Sequence, residues 1–292
     1  MKKFAALFLA LLMMTSLVAC GGSDGGTANT TDTEGTEQTS GDSASSPSIV
    51  FKLGHVFAVD SPSGDTSRYF KEILEERSNG TMSCDIYYNS EIGGDKELIE
   101  SMGMGAVDMA MSAPSVLAPF SPRMGAFNLP FMFESLDQAH AAVETGLLDD
   151  ILASTIETAN TRILAVSENG FRQLEGRVEV TKLADLNNLK ARAPQNEMYT
   201  QTWTALGCGI ASLPFGEIYT ALQTGVADVC EVPLANYYTS NFYEVGKYVT
   251  ITNYSWDPIC ISMSELTWQK LTPEQQEIVQ SCAVDAAAFQ LN

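Results

Sequence analysis

Asn169-Gly170-Phe171-Arg172, Leu189-Lys190-Ala191-Arg192-Ala193-Pro194 and Pro214-Phe215-Gly216-Glu217-Ile218-Tyr219-Thr220-Ala221-Leu222-Gln223-Thr224-Gly225 fall within one stretch, 169–233. Its spacing reads as an α/β unit. Val178–Thr181 and the short Ala191–Arg192 segment are strand-like, Met198–Leu206 is a helix stopped by Gly207, Gly216–Thr224 a helix stopped by Gly225, and Val226–Val229 the strand that follows. Arg172 and Arg192 stand next to structure-breaking residues, and the chain has only seven arginines. A guanidinium fork holds a carboxylate through two parallel hydrogen bonds, so arginines placed like this suit the grip of an organic acid.

Outward from this unit, the chain keeps alternating. Ile49–Gly54 is strand-like. A helix from about Ser63 carries Phe70, Ile73 and Leu74 and stops at Asn79-Gly80. Met82–Tyr88 is a strand, a helix starts near Asp95 after Gly93-Gly94, and Val107–Met111 is a buried strand. This βαβαβ opening implies a parallel sheet with right-handed crossovers. Helices around Leu136–Val143 and Leu147–Ala159 precede a strand at Arg162–Val166. Strands at Tyr248–Thr252 and Ile259–Met263 lead to a last helix opened by Thr272-Pro273-Glu274, with Ile278, Cys282, Ala286 and Phe289 on one face.

The N-terminus reads as an export address. Lys2 and Lys3 precede an apolar run, Phe4–Met14, too short to span a bilayer, and Leu17-Val18-Ala19-Cys20 resembles a lipobox. Residues 1–19 are thus expected to be a lipoprotein signal peptide and Cys20 the acylated residue, holding the protein on the outer face of the cell membrane. Residues 21–48 hold no Val, Ile, Leu or aromatic residue and are expected to form a disordered tether. As a flexible coil it spans on the order of 30 Å.

The chain carries 16 basic and 36 acidic residues, net −20. Such a charge excludes a phosphate-seeking nucleic-acid surface, and an anionic ligand needs cations fixed at one place. The cysteines beyond Cys20 (Cys84, Cys208, Cys230, Cys260, Cys282) show no CxxC spacing and read as small buried hydrophobes. His55 and His140 stand alone and read as structural. The body carries no Gly-x-Ser-x-Gly elbow, no His-Glu-x-x-His and no phosphate loop, so neither an enzyme nor a metal or other cofactor is expected.

The chain resembles the extracytoplasmic solute-binding protein of a TRAP (tripartite ATP-independent periplasmic) transporter of the dicarboxylate-binding type. The matching blocks include Phe51-Lys52-Leu53-Gly54-His55, Asn89-Ser90-Glu91-Ile92-Gly93-Gly94-Asp95, Gly105-Ala106-Val107-Asp108-Met109, Leu129-Pro130-Phe131 and Glu168-Asn169-Gly170-Phe171-Arg172. They also include Leu189–Pro194, Pro214–Gly225, Phe242–Tyr248 and Leu271-Thr272-Pro273-Glu274. The resemblance implies an α/β, two-lobed periplasmic-binding-protein-like clamp, each lobe a mixed sheet flanked by helices, with hinge strands and a long hinge-crossing helix. Lobe 1 is expected over 49–169, with 258–292 returning to it or crossing the hinge, and lobe 2 over 170–257. A monomer would capture a small organic acid between the lobes and deliver it to integral membrane subunits for uptake driven by an ion gradient. The rival readings are a binding protein of an ATP-driven importer and a secreted two-domain enzyme.

By position in the family pattern, Arg192 holds the ligand carboxylate. Arg172 takes the same carboxylate or a second one, or else forms a salt bridge with Glu168 or Glu175. Phe215 packs on the ligand or in the core. Asp95 and Glu168 match acidic positions lining the cleft in some members, and Asn169 serves the turn or the ligand. Where many members carry Gln-Glu-Asn-Pro, this chain has Cys230-Glu231-Val232-Pro233, and Val232 removes a polar contact for which Asn236 or Tyr237 compensates. Val56 and Ala113 replace polar groups used by sialic-acid binders, which argues against a sialate and leaves a dicarboxylate or an apolar-substituted monocarboxylate. Family members usually continue past the last helix, whereas this sequence stops at Gln290-Leu291-Asn292, truncated or short.

Overall fold

The computed structural model describes residues 47–290. The expected leader, the acylation site at Cys20 and all but the last two residues of the tether lie outside the described residues. Ser48 already joins the body, its backbone N–H and its hydroxyl both donating to Thr81 O at 3.0 Å.

The βαβαβ opening builds the first sheet. β1 (Ile49–Gly54) leads to α1 (Pro62–Arg77), whose start is fixed by Ser61 accepting from Gly64 N at 3.1 Å and by Pro62 in the first turn. The helix is followed by Asn79 and Gly80, both left-handed (φ 51° and 75°). β2 (Met82–Tyr87) pairs parallel with one side of β1. After α2 (Asp95–Gly103), β3 (Met109–Ser112) pairs parallel with the other. The chain continues through α3 (Pro114–Leu117), α4 (Leu136–Glu144) and α5 (Asp149–Ala159) to β4 (Thr161–Ser167). β10 (Ile259–Ser264) inserts antiparallel between β3 and β4, giving the order β2-β1-β3-β10-β4.

The period of two along these strands makes the layers. Met109, Met111, Ile259, Ile261 and Met263 point to one face, where α1 packs Phe70, Ile73 and Leu74. Ala110 and Cys260 point to the other, against Leu98, Ile99 and Met102 of α2.

The second sheet runs β7-β6-β8-β5-β9, formed by β5 (Phe171–Gly176), β6 (Lys190–Ala193), β7 (Gly209–Ser212), β8 (Val229–Pro233) and β9 (Tyr248–Trp256). β6 is parallel to β7 and β8, and β5 is antiparallel to β8 and β9. Its helices are α6 (Glu197–Ala205), α7 (Ile218–Thr224) and α8 (Leu234–Thr239). The strand expected at Val178–Thr181 is irregular chain; β5 lies just before it. β5 buries Arg172, Gln173 and Glu175, so it lacks the apolar alternation that marks a strand in sequence. β8 begins where the expected Val226–Val229 strand ends, and the four-residue β7 shows no period to read.

The described chain passes between the sheets at 168–170 and again at 257–258. The two crossings are bonded together, Asp257 N donating to Gly170 O at 3.1 Å. Gly170 has φ 97°, a conformation costly for any residue with a Cβ. After β10 come α9 (Glu265–Trp268) and α10 (Pro273–Phe289). α10 buries Val279, Cys282, Ala283, Ala286 and Ala287 in the first lobe's core beside α1. Phe289 is largely exposed but stacks on Tyr69, ring centroids 4.6 Å apart. This helix therefore returns to the first lobe, and the expected hinge-crossing helix is not among the described helices.

Candidate ligand-binding site

The carboxyl ends of parallel strands β1, β3, β6 and β8 converge between the lobes, the usual place for a ligand in an α/β sheet. Two adjoining chambers open there. The inner one, about 40 Å³, is lined by Val56, Asp95, Ala113 and Ser115 from the first lobe and by Arg172, Arg192, Phe215, Val232 and Asn236 from the second, with Asp257 at the hinge. The outer one, about 210 Å³, shares Asp95, Ser115, Arg192 and Phe215. Three cavities are larger: a groove of about 440 Å³ beside Glu134, Asn169 and Leu234 has no cationic side chain in its wall, and two others, about 460 and 540 Å³, lie against β4 with α10 and against α6 with β9. The last two are lined mainly by apolar side chains, and none of the three brings a buried, unused cation to its wall as the inter-lobe chambers do, which is why the smaller space marks the site.

Arg192 leaves β6 one residue before Ala193-Pro194, and Pro194 holds the preceding residue extended. Its side chain is 3% exposed. Nε donates to Leu213 O at 3.0 Å, and the terminal nitrogens have no protein partner among the described residues. Burial lowers its pKa from the ordinary arginine value, Arg172 acts the same way, and Glu231 and Asp95 oppose it. Arginine remains charged through such shifts. The inner chamber therefore contains a fixed cation with its fork unused.

Arg172 is the opposite case. Nε bonds the Glu231 carboxylate, Nη1 donates to Asp257 Oδ2 at 2.7 Å, and Nη2 donates to Glu231 O at 2.7 Å. Its guanidinium also lies 5.0 Å from the Tyr199 ring centroid, and Tyr254 OH donates to the same Glu231 carboxylate at 2.6 Å. Burial disfavours this charge, but Asp257 and Glu231 outweigh it and hold the pKa well above the arginine norm. A salt bridge, one of the options open in the sequence, is formed. Its partners are Glu231 and Asp257 rather than Glu168 or Glu175. Glu175 instead accepts from Val232 N at 3.2 Å, and burial raises its pKa well above the carboxylate range.

Asp95, half-buried at the start of α2, has no hydrogen bond from its carboxyl among the described residues. Burial pushes its pKa up to about 7, Arg192 pulls it down, and Asp257 and Glu97 add to the rise. At neutral pH it can donate a proton or carry charge. Phe215 forms a wall common to both chambers, its ring centroid 5.9 Å from that of Phe57 of the first lobe and 5.6 Å from that of Phe242. Asn236 follows Val232 around the turn into α8 and lines the inner chamber, while Tyr237 turns away, its hydroxyl donating to Gly246 O at 2.6 Å.

Two sequence candidates stand outside both chambers. Glu168 is occupied at the hinge. It accepts from Asn169 N at 2.8 Å, from Gly170 N and from Trp256 Nε1 at 3.2 Å, and pairs with His140 of α4. It clasps the two crossings. Asn169 is buried beside it and lines a separate groove with Glu134 and Leu234. His55 is structural, its Nε2 3.3 Å from Ser67 Oγ and its pKa lowered to about 4 by burial. The five described cysteines are free and buried.

Three contributors gave no sequence signal. Asp257 reads as a loop residue before Pro258 and Ser115 as a helix-start residue. Asn196 caps α6, its Oδ1 accepting from Met198 N at 2.9 Å, while its Nδ2 reaches across the cleft to Ser115 O at 2.8 Å and Asn128 Oδ1 at 3.0 Å. The cap is a local feature of the chain, whereas the bridge exists only once the two lobes face each other.

Comparison with known proteins agrees with this architecture. The model of bacterial extracellular solute-binding protein family 7 matches residues 53–292. The chain is 33% identical over 227 residues to the C4-dicarboxylate-binding periplasmic protein DctP of Rhodobacter capsulatus, covering 76% of this chain and 67% of that one. It is 30% identical over 225 residues to the 2,3-diketo-L-gulonate-binding periplasmic protein of Escherichia coli, covering 77% and 68%. Among solved structures, a TRAP periplasmic solute binding protein from Roseobacter denitrificans with bound L-galactonate superposes with a TM-score of 0.81 at 30% identity, covering 84% of this chain and 82% of that one.

Proposed function

The chain belongs to bacterial extracellular solute-binding protein family 7, and on that premise we propose that it captures a small organic acid between its lobes and passes it to the membrane subunits of a TRAP transporter. The observation that carries this reading is Arg192, a buried guanidinium with one nitrogen tied to Leu213 and the rest of its fork unused in the inter-lobe chamber. A carboxylate there gains charge-assisted bonds of about 1.5–3 kcal/mol each. Arg172, paired with Glu231 and Asp257, forms part of the chamber wall. Asp95, Phe215 and Asn236 complete the surroundings of the ligand.

Relatives that bind L-galactonate or β-D-galacturonate support an acid as the ligand. In this proposal ion-gradient-driven uptake, a lipid on Cys20 and a monomeric state complete the working protein. The test is a thermal-shift screen of carboxylic acids followed by calorimetry, because a ligand that binds only the folded state raises apparent stability. At least one acid should stabilise the protein, and Arg192→Ala should abolish its binding. No response to any acid, or an Arg192→Ala variant that binds as well as the wild type, would refute the proposal.

A further inference from the structure

We infer that the ligand is a monocarboxylate with an aromatic or branched apolar tail, its acid group in the inner chamber and its tail in the outer one. This rests on the acid-binding reading above and narrows it to a ligand class. The inner chamber, at about 40 Å³, has room for roughly three water-sized groups, which suits a carboxylate and little else. The free polar groups gather at that end: the Arg192 fork, Asp95, Ser115 and Asn236. Of the rest of the inner wall, Val56, Ala113 and Val232 have no side chain able to hydrogen-bond, and Arg172 and Asp257 are paired with each other, with Asp257 Oδ1 left unpartnered among the described residues.

The outer chamber continues from the same end with a different chemistry. Val116, Pro119, Phe120, Pro194, Pro214 and Phe215 line it. Its other polar residues, Lys96 and Gln195, are exposed. A sugar acid carries hydroxyls on most of its carbons, and hydroxyls set against prolines and phenyl rings lose their hydrogen bonds to water without replacement. A phenyl or isobutyl tail loses nothing there and gains apolar contact. A second carboxylate finds Arg172 already paired with Glu231 and Asp257, and the exposed Lys96 standing 3.8 Å from Glu100.

Calorimetry on the purified protein would compare phenylpyruvate and 4-methyl-2-oxopentanoate with galactonate, D-glucuronate and succinate. The two apolar acids should bind at least about tenfold tighter than the other three, as expected for burial of several apolar carbons. Phe120→Ala, a change at a half-buried residue, should weaken phenylpyruvate binding by about tenfold. Galactonate, D-glucuronate or succinate binding as tightly as the apolar acids would overturn the inference and leave the acid receptor standing. Unchanged phenylpyruvate affinity in Phe120→Ala would overturn the placement of the tail. Failure of all five acids to bind would overturn the inference, while the acid receptor falls only if the wider screen also finds no acid that binds.

Discussion

Replacing Arg192 by lysine tests the site at its centre. The native guanidinium is 3% exposed, and its plane is set by the bond from Nε to Leu213 O at 3.0 Å. That bond aims the two terminal nitrogens as a pair. Lysine keeps a positive charge but loses the tie to Leu213 and the second parallel bond to a carboxylate. One charge-assisted hydrogen bond contributes about 1.5–3 kcal/mol, so affinity should fall by between about tenfold and a hundredfold. Burial and the field of Arg172, which already act on Arg192, would also lower the new ammonium's pKa and deepen the loss as pH rises. The assay is titration calorimetry of wild type and Arg192→Lys with the strongest acid from the screen, with thermal unfolding of the free proteins as a control for folding. Equal affinity in a folded Arg192→Lys would refute the bidentate pose, and equal affinity in Arg192→Ala would remove Arg192 from the site.

Other consequences follow from the same geometry. Asp95 has a folded pKa of about 7, raised above its ordinary value, so its proton is retained in acid and lost as pH rises through neutrality. An anionic ligand nearby favours the protonated form, so affinity should fall by about tenfold between pH 6 and pH 8, with proton uptake on binding visible as a buffer-dependent enthalpy. Asp95→Asn should flatten that dependence; an unaltered pH profile in the variant would exclude Asp95 as its source. Because the folded pKa is raised, ionising Asp95 also costs stability as pH climbs from the unfolded carboxylate range toward 7. Arg172→Ala leaves Glu231 and Asp257 buried without their cation and should destabilise the protein by about 3–5 kcal/mol in chemical denaturation. A loss below about 1 kcal/mol would show that the pair is not structural. Asn196→Asp keeps the cap of α6 but loses the donor to Ser115 O and Asn128 Oδ1, so helicity should hold while ligand affinity falls about tenfold. Full affinity in that variant would mean that these bonds do not couple the lobes to the ligand.

The βαβαβ opening and the start of α10 were legible because local rules suffice there. Ser61 and Thr272 are caps, Pro62 and Pro273 occupy first turns, and Asn79-Gly80 ends α1. Phe70, Ile73 and Leu74 repeat at helical spacing, and the methionines of β3 alternate with Ala110. The prominence of Arg192 was legible too, from its rarity in an acidic chain and its place before Pro194. β5 was missed for a physical reason. It lies inside a sheet and buries three polar side chains, Arg172, Gln173 and Glu175, whose partners come from β8, β9 and the hinge residue Asp257. No local pattern announces a strand whose polar groups are satisfied by residues dozens of positions away.

The division of labour between the two arginines shows the boundary most plainly. Composition and spacing single out Arg172 and Arg192 alike, because scarcity and neighbouring turn residues are properties of the chain. Which one is paired with carboxylates and which is free depends on where Glu231 and Asp257 fall after folding, 59 and 85 residues away from Arg172. Glu168 likewise looks like a cleft acid along the chain and becomes a hinge clasp in space, because Trp256 and His140 arrive beside it. Capping, periodicity and charge are short-range and can be read along the chain. Charge pairing and the shape of a cavity between lobes arise from contacts distant in sequence and exist only once both sheets have formed.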